Sequence, residues 1–273
     1  MPRIDPTARV ADGARIADDA EIGPYCIVGP QVELKSGVRL QSHVSIAGAT
    51  TVGERAAVFP FVSLGTMPQS TAYRGEPTRL VIGNDCQFRE GVTVSIGTEK
   101  GGGITTVGDR CFMMASSHIA HDCVVGNNVT FANNVALGGH VTIGDHVFLG
   151  GQAAVHQFNR IGEGAMIGGL TGVTGDVIPF GFAKGAIPAY LAGLNMVGLK
   201  RRGISRADMH RIRSAYRLLF LGTGTFAERT EIAEAEFAGD PLVGKILDFI
   251  RAKRPRPLMM RDPAELSSAS GEL

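Results

Sequence analysis

In the stretch Val124-Val125-Gly126-Asn127-Asn128-Val129-Thr130-Phe131-Ala132-Asn133-Asn134-Val135-Ala136-Leu137-Gly138-Gly139-His140-Val141-Thr142-Ile143-Gly144, large apolar side chains return at Val125, Phe131, Leu137 and Ile143, six residues apart. Working outward, the same phase runs back through Ile119, Met113 and Val107 and forward through Leu149, Val155, Ile161, Ile167 and Val173. An earlier run holds the period from Ile4 through Val10, Ile16, Ile22, Val28, Leu34 and Leu40 to Ile46, Val52, Val58 and Leu64, and resumes at Ile82, Phe88 and Val94. A small or branched residue often fills the fifth place of each hexad, and Gly often follows the large one. A period of six cannot hold one face of an α-helix or the seam of a coiled coil. It suits short strands joined by tight turns, three hexads closing one triangular coil of eighteen residues. Each aliphatic then points into a prism and stacks on its equivalent about 4.8 Å along the axis, each burial contributing roughly 1.5–3 kcal/mol. The repeat therefore predicts a mainly β fold, a parallel β-helix of hexapeptide repeats.

Two interruptions and one change of period organise the chain. Residues 65–80 keep phase but lose repeat character and carry Pro68 and Pro77, and the step from Val94 to Val107 is thirteen residues and includes Gly101-Gly102-Gly103. Both read as loops extruded from the coil, where function collects on a rigid scaffold. After Val173 the pattern fades through Pro179 and Pro188. From Ser205, a helix N-cap, Met209, Ile212, Tyr216, Leu219 and Phe220 share one helical face. Thr225 and Glu228 form a capping-box pattern, and a third helix is predicted over Pro241 to Ala252, burying Leu242, Ile246, Phe249 and Ile250. The division expected is a β-helix over 1–194 and an α-helical unit over 195–262. A polar tail follows, with disorder expected after Arg254, including 263–273.

Composition agrees with a narrow aliphatic core wrapped in turns: 37 glycines, 6% aromatic residues and no Trp. A net charge of +1 gives no global field for nucleic acid. Cys26, Cys86, Cys111 and Cys123 make no C-x-x-C pair. The N-terminal residues carry no signal-like apolar run, and no segment is long enough to span a bilayer, so a cytoplasmic protein without stable membrane insertion is expected.

Five of the seven histidines, His118, His121, His140, His146 and His156, lie in one stretch. Steps of eighteen sort them into columns. His121, Gly139 and Gln157 stack vertically, Asp122 lies beneath His140, and His118 and His156 stand nearby. A neutral imidazole is a natural general base near neutral pH, Asp122 can orient it, and Gly139 has no side chain to screen an N–H that could face an oxyanion. The plainer reading of a solenoid histidine is a solvated turn residue, which suits His43, His146 and His210. A trimeric zinc β-helix with a histidine trio is a further alternative, although no familiar metal spacing stands out. Lys200-Arg201-Arg202 is a cationic run that reads either as a solvated face or as a phosphate fork.

Taken together, several segments resemble the acyl-carrier-protein–UDP-N-acetylglucosamine O-acyltransferases of lipid A biosynthesis. They are Ile22-Gly23-Pro24-Tyr25-Cys26-Ile27-Val28-Gly29-Pro30, Gly75-Glu76-Pro77-Thr78-Arg79, Gly101-Gly102-Gly103, His118-Ile119-Ala120-His121-Asp122-Cys123, Ala132-Asn133-Asn134, Val155-His156-Gln157-Phe158 and Gly198-Leu199-Lys200-Arg201-Arg202-Gly203. The resemblance implies a left-handed winding, a homotrimer with sites between subunits, and transfer of a 3-hydroxyacyl group from acyl carrier protein to the sugar 3-hydroxyl. It also implies that no metal or dissociable cofactor is needed. By motif, His121 resembles the general base, Asp122 its support and the Gly139 amide the oxyanion donor. His118, His140, His156 and Gln157 resemble contacts to sugar nucleotide or acyl-pantetheine, and Asn195, Arg201 and Arg202 resemble nucleotide contacts. Gly169 falls at the acyl-chain ruler, and the helical unit would receive the acidic carrier protein. Ser70, Ala72, Ser95, Ile96 and Val197 replace residues usual in the family, which motivates the 3-amino sugar nucleotide as an alternative acceptor. The N-acyltransferase acting later in the pathway carries a separate N-terminal domain before its repeats, whereas here the ladder starts at Ile4. A coenzyme-A-dependent hexapeptide acetyltransferase and a non-catalytic β-helix scaffold are the other readings.

Overall fold

The computed structural model describes residues 1–252 and 255–262. The expected disorder of 263–273 falls outside the described residues. Almost every repeat strand is two residues long and ends on the large apolar member of its hexad, as in Glu21–Ile22, Ile27–Val28 and Glu33–Leu34. Strands pair in parallel with the equivalent strand one coil on, for example Ile4 with Ile22, Val124 with Thr142 and Val125 with Ile143. Among the described residues this builds three faces of eleven, nine and eight strands, beginning at Arg3–Ile4, Arg9–Val10 and Arg15–Ile16. The ladder from Ile22 to Val173 is buried, together with the small residues of the fifth position such as Val129, Val135 and Val141. The first coil departs from the expected burial: Ile4 is 42% exposed and Val10 and Ile16 are half-buried, since no coil among the described residues lies beneath to cover them.

The corner between the third and first faces shows how a coil is tied to the next. The N–H of Glu54 donates to Asn84 Oδ1 (2.8 Å), Asn84 N–H to Asp109 Oδ1 (2.7 Å), Asp109 N–H to Asn127 Oδ1 (2.8 Å) and Asn127 N–H to Asp145 Oδ1 (2.7 Å). Each turn amide thus meets a side-chain oxygen of the coil above, satisfying a donor that the strands leave over.

After Gly172–Val173 the chain forms an antiparallel hairpin, Gly181–Lys184 with Tyr190–Leu194, on the end of the first face. Helix α1 (Met196–Arg201) follows, which the repeat pattern did not reveal, then α2 (Arg206–Leu221), α3 (Phe226–Glu236) and α4 (Pro241–Arg251). Ser205 caps α2 through the Asp208 N–H, and Thr225 and Glu228 complete the capping box of α3. In α4 the fully buried positions are Val243, Ile246, Leu247 and Ile250, with Leu242 and Phe249 only partly covered. Ile246 and Ile250 are thus buried as expected, while Val243 and Leu247 take the places expected of Leu242 and Phe249, and Asp240 caps the helix through the N–H groups of Leu242 and Val243. The segment beyond Arg254 is not all loose: Leu258 and Met259 are buried, and Asp176 pairs with Pro257 and Met259 through its backbone N–H and carbonyl. The two apolar side chains give this return strand something to bury, which the prolines and polar residues around it obscure.

Helices and coil are joined by charge. The fully buried Asp176 carboxylate accepts two bonds of 2.8 Å from Arg160, whose guanidinium lies 4.2 Å from the centre of the Phe249 ring. Burial alone would raise the Glu163 pKa, but bonds from Lys245 of α4 and from Arg202 outweigh it and hold the carboxyl below its ordinary range.

Candidate active site

Both extruded loops, 67–78 and 96–103, leave the coil between the second and third faces, and so do the turns carrying His121-Asp122, Gly139-His140 and Gln157-Phe158. One corner therefore collects everything irregular beside the histidine column. The loops hold each other by the Thr78 hydroxyl, which donates to the Gly97 carbonyl at 2.6 Å.

His121 Nδ1 lies 2.7 Å from Asp122 Oδ2, and the carboxylate is fully buried while the imidazole keeps 16% exposure. The second loop fixes that carboxylate: the Thr98 N–H donates to Oδ1 (2.7 Å) and the Thr98 hydroxyl to Oδ2 (2.5 Å). From below, the Thr105 hydroxyl accepts the Asp122 N–H at 2.8 Å. An ionised, buried carboxylate is stable only when so bonded. Gly101 makes room for it, since a Cβ there would lie 2.0 Å from Asp122 Cγ. An acceptor on Nδ1 fixes the tautomer that leaves Nε2 as the basic nitrogen.

Gly139 lies directly over the His121 ring, where a Cβ would come within 2.7 Å of Cε1 and 2.9 Å of Nε2. Its N–H has no acceptor among the described residues. In the neighbouring corner the equivalent amides donate to Asx oxygens of the next coil; here the residue above is Gln157, whose exposed side chain makes no such bond. The histidine column thus presents a proton acceptor and an uncommitted donor on adjacent coils.

His140 stands edge-on to His121 with ring centres 5.1 Å apart and stacks flat on Phe158 at 4.4 Å. His118 Nδ1 is 2.7 Å from the Thr93 hydroxyl. Burial first, and the neighbouring His121 second, depress the His118 pKa, and burial depresses that of His140 against the pull of Asp122. His156 and Gln157 sit one coil further on at the same corner, both exposed, His156 Nδ1 lying 3.2 Å from the Gln157 carbonyl. A cavity of about 180 Å³ opens over His121 and His140, walled by Ser70, Ala72, Tyr73 and Glu76 of one loop and by Thr98 and Lys100 of the other.

The remaining expected residues lie elsewhere on the protomer. Asn195, Arg201, Arg202 and the exposed Val197 line a separate cavity of about 450 Å³ with Asn128, His146 and Phe148, which shares no residue with the first. The Asn195 amide is engaged at both ends, capping α1 at Gly198 and donating to the Gly164 carbonyl, and Arg202 pairs with Glu163. Gly169 is exposed on the corner between the first and second faces. Ser95 and Ile96 are buried and line neither cavity. Of the three histidines assigned to solvated turns, His43 is exposed on its turn, and its ring stands between the exposed Tyr25 and Phe61, ring centres 5.0 and 5.2 Å away. Sequence reading gave no role to Thr98, and to Gly101 only a place in a glycine motif; both meet Asp122 from an aperiodic loop. The triplet that Gly101 opens, Gly101-Gly102-Gly103, was the one signal available.

A zinc alternative meets one candidate group among the described residues, ligand atoms of His121, Asp122 and His140 lying within 4.8 Å of one another. Its carboxylate is already committed to Thr98 and the His121 ring, so the donor set fits a hydrogen-bonded dyad better than an ion.

Residues 176–259 match the family model described as UDP N-acetylglucosamine O-acyltransferase, domain 2, and residues 104–139 match the bacterial transferase hexapeptide model. The acyl-[acyl-carrier-protein]–UDP-N-acetylglucosamine O-acyltransferase of Azorhizobium caulinodans is 58% identical over 255 residues, 93% of this chain and 94% of that one. Among solved structures, the UDP-N-acetylglucosamine acyltransferase of Francisella novicida superposes with a TM-score of 0.92 at 34% identity, covering 97% of this chain and 96% of that one. LpxA of Acinetobacter baumannii does so with a TM-score of 0.89 at 38% identity, covering 93% and 99%. The winding is the left-handed β-helix of these neighbours.

Proposed function

This chain belongs to the acyl-[acyl-carrier-protein]–UDP-N-acetylglucosamine O-acyltransferase family, and from that membership we propose how its own residues carry out the transfer. The acyl group, a 3-hydroxyacyl chain, arrives as a thioester on acyl carrier protein, and the acceptor is the 3-hydroxyl of UDP-N-acetylglucosamine, opening lipid A synthesis in the cytoplasm. His121 Nε2 takes the hydroxyl proton as the sugar oxygen attacks the thioester carbonyl. The carbonyl electrons move onto oxygen, and the Gly139 N–H receives that anion. Collapse expels the pantetheine thiolate, which regains the proton from the imidazolium. Asp122 stabilises that imidazolium and keeps the ring in its productive tautomer.

One observation carries this reading: a histidine bonded at 2.7 Å to a buried, triply bonded carboxylate, with an acceptor-free backbone amide on the coil above. His118, His140, His156 and Gln157 border the same corner and are assigned to substrate contact. Asn195, Arg201 and Arg202 are assigned to the nucleotide, and Gly169 to the far end of the acyl groove. The cavity lined by Asn195, Arg201 and Arg202 shares no residue with that at His121, an arrangement that suits a site completed by a neighbouring subunit of a homotrimer. Residues 1–194 then supply the chemistry, and 195–262 receive the carrier protein. Among the described residues no helix is long and apolar enough to cross a membrane.

Purified protein given a panel of acyl carrier donors with UDP-N-acetylglucosamine or its 3-amino analogue tests this by product mass. The expected product is the O-acyl sugar nucleotide, and His121→Ala should lower kcat about 10²–10⁴-fold while leaving assembly intact. A His121→Ala protein with full turnover would overturn the assignment.

A further inference from the structure

The Gly138–Gly139 peptide is the part of this site with the least to hold it. Neither residue has a side chain, so rotation of the peptide plane, exchanging N–H for C=O at the site, meets little steric resistance. Two equivalent peptides in the neighbouring corner are fixed at both ends, whereas Gly53–Glu54 and Gly83–Asn84 are held through the N–H alone among the described residues. At Gly108–Asp109 the carbonyl accepts from the Cys86 thiol (3.0 Å) while the N–H donates to Asn127 (2.8 Å). At Gly126–Asn127 the carbonyl accepts from the Cys111 thiol (3.2 Å) while the N–H donates to Asp145 (2.7 Å). At Gly138–Gly139 the carbonyl half is present, the Cys123 thiol lying 3.2 Å from the Gly138 oxygen, and the N–H half is open.

We infer that Cys123 is a positioning residue for acyl transfer: its S–H pins the Gly138 carbonyl so that the Gly139 N–H points at the developing oxyanion. This rests on the assignment of that N–H made above. At Gly53–Glu54 and Gly83–Asn84 an oxygen acceptor alone fixes the amide's direction; Gly139 has no such acceptor among the described residues, so the thiol is the bond left to fix its peptide. Donation to the carbonyl also polarises the peptide, strengthening the N–H as a donor. Cys123 is completely buried, and burial pushes its thiol up to about 12, so the proton that makes the bond is present throughout the working pH range. No other donor reaches the Gly138 carbonyl among the described residues.

The hexad supplies its own conservative replacements, since Val129, Val135, Val141 and Ala153 fill the same fifth position, all fully buried. Cys123→Val and Cys123→Ala should therefore fold and lower kcat about three- to tenfold, the range of one neutral hydrogen bond. KM for both substrates should hold, and Cys123→Ser, which keeps a donor, should recover part of the loss. Cys111→Val is the control, because Asp145 still holds its peptide. A fall in kcat that tracks a fall in Tm equally in Cys111→Val and Cys123→Val would make the thiol mere packing and overturn the inference, as would wild-type kcat in both Cys123 variants. Exchange of the residue 139 amide for an ester, by semisynthesis, separates the two layers. If the ester is slow while Cys123→Val is not, only the thiol's role fails; if the ester itself runs at the wild-type rate, the oxyanion assignment fails.

Discussion

Gly101→Ala is the substitution whose outcome the geometry fixes most tightly, although Gly101 itself makes no contact with reacting atoms in the proposed chemistry. Its new Cβ would fall 2.0 Å from Asp122 Cγ and 2.2 and 2.3 Å from the two oxygens. That is about 1.4 Å short of ordinary contact, so either the loop or the carboxylate must give way. Thr98 belongs to the same loop and bonds the same carboxylate, so either movement breaks those bonds: 2.7 Å stretches toward 4 Å, beyond hydrogen-bonding range. Asp122 then no longer holds His121. Losing one charge-assisted bond to the imidazolium corresponds to about 1.5–3 kcal/mol, or a fall in kcat of roughly ten- to 150-fold at 1.36 kcal/mol per decade. Initial rates with acyl carrier donor and UDP-N-acetylglucosamine, with Tm measured alongside, would read this. A double-mutant cycle adds the test of route: in an Asp122→Asn background Gly101→Ala should change kcat less than about twofold. A Gly101→Ala enzyme within twofold of wild type, or an undiminished effect in the Asp122→Asn background, would refute the reasoning.

Other outcomes follow from the same structure. Thr98→Val removes the hydroxyl but not the backbone bond to Asp122 and should cost kcat less than Gly101→Ala, read in the same rate assay. Gly139→Ala should lower kcat without unfolding the coil, because its Cβ collides with the His121 ring and not with the core. Burial holds His118 and His140 below the ordinary 6.5, so the unfolded chain takes up protons first as pH falls. Their stabilisation is full above pH 6.5 and is lost as pH drops from there through their folded pKa values. Urea titrations from pH 7.5 to 5 should show that decline, and His118→Asn should make it shallower. Glu163→Gln, which leaves Arg202 and Lys245 without their shared carboxylate, should destabilise the protein by about 1.5–3 kcal/mol, seen by denaturant titration.

The ladder was legible because each coil repeats the same local choice, so Val125, Phe131, Leu137 and Ile143 each report independently on one geometry. The same counting brought His121, Gly139, Asp122 and His140 to one corner, since residues eighteen apart share a column wherever no insertion intervenes. It could not say what the insertions do. Thr98 and Gly101 meet Asp122 through a loop whose path no period governs, so only coordinates bring them there. Asn195, Arg201, Arg202 and Gly169 were named by resemblance, and none of them lines the cavity at His121. The uncovered first coil and the return strand at Leu258 and Met259 share a cause, because burial at the ends of a solenoid depends on what caps it.

A scaffold closed in steps of eighteen treats length as a whole number. Removing residues 23–40, one full turn bounded by the paired strands Glu21–Ile22 and Arg39–Leu40, would shorten the prism by a single rung and leave every column above it in place. Removing nine residues from the same region would rotate everything downstream onto the wrong edge. Between Thr98 and Gly139 not even a full turn can be spared, because the second loop must clasp the first histidine turn above it and the open amide must lie on the next. The N-terminal stem can thus lengthen or shorten by whole rungs, while the few rungs that carry Asp122, His121 and the Gly139 amide are locked to one count.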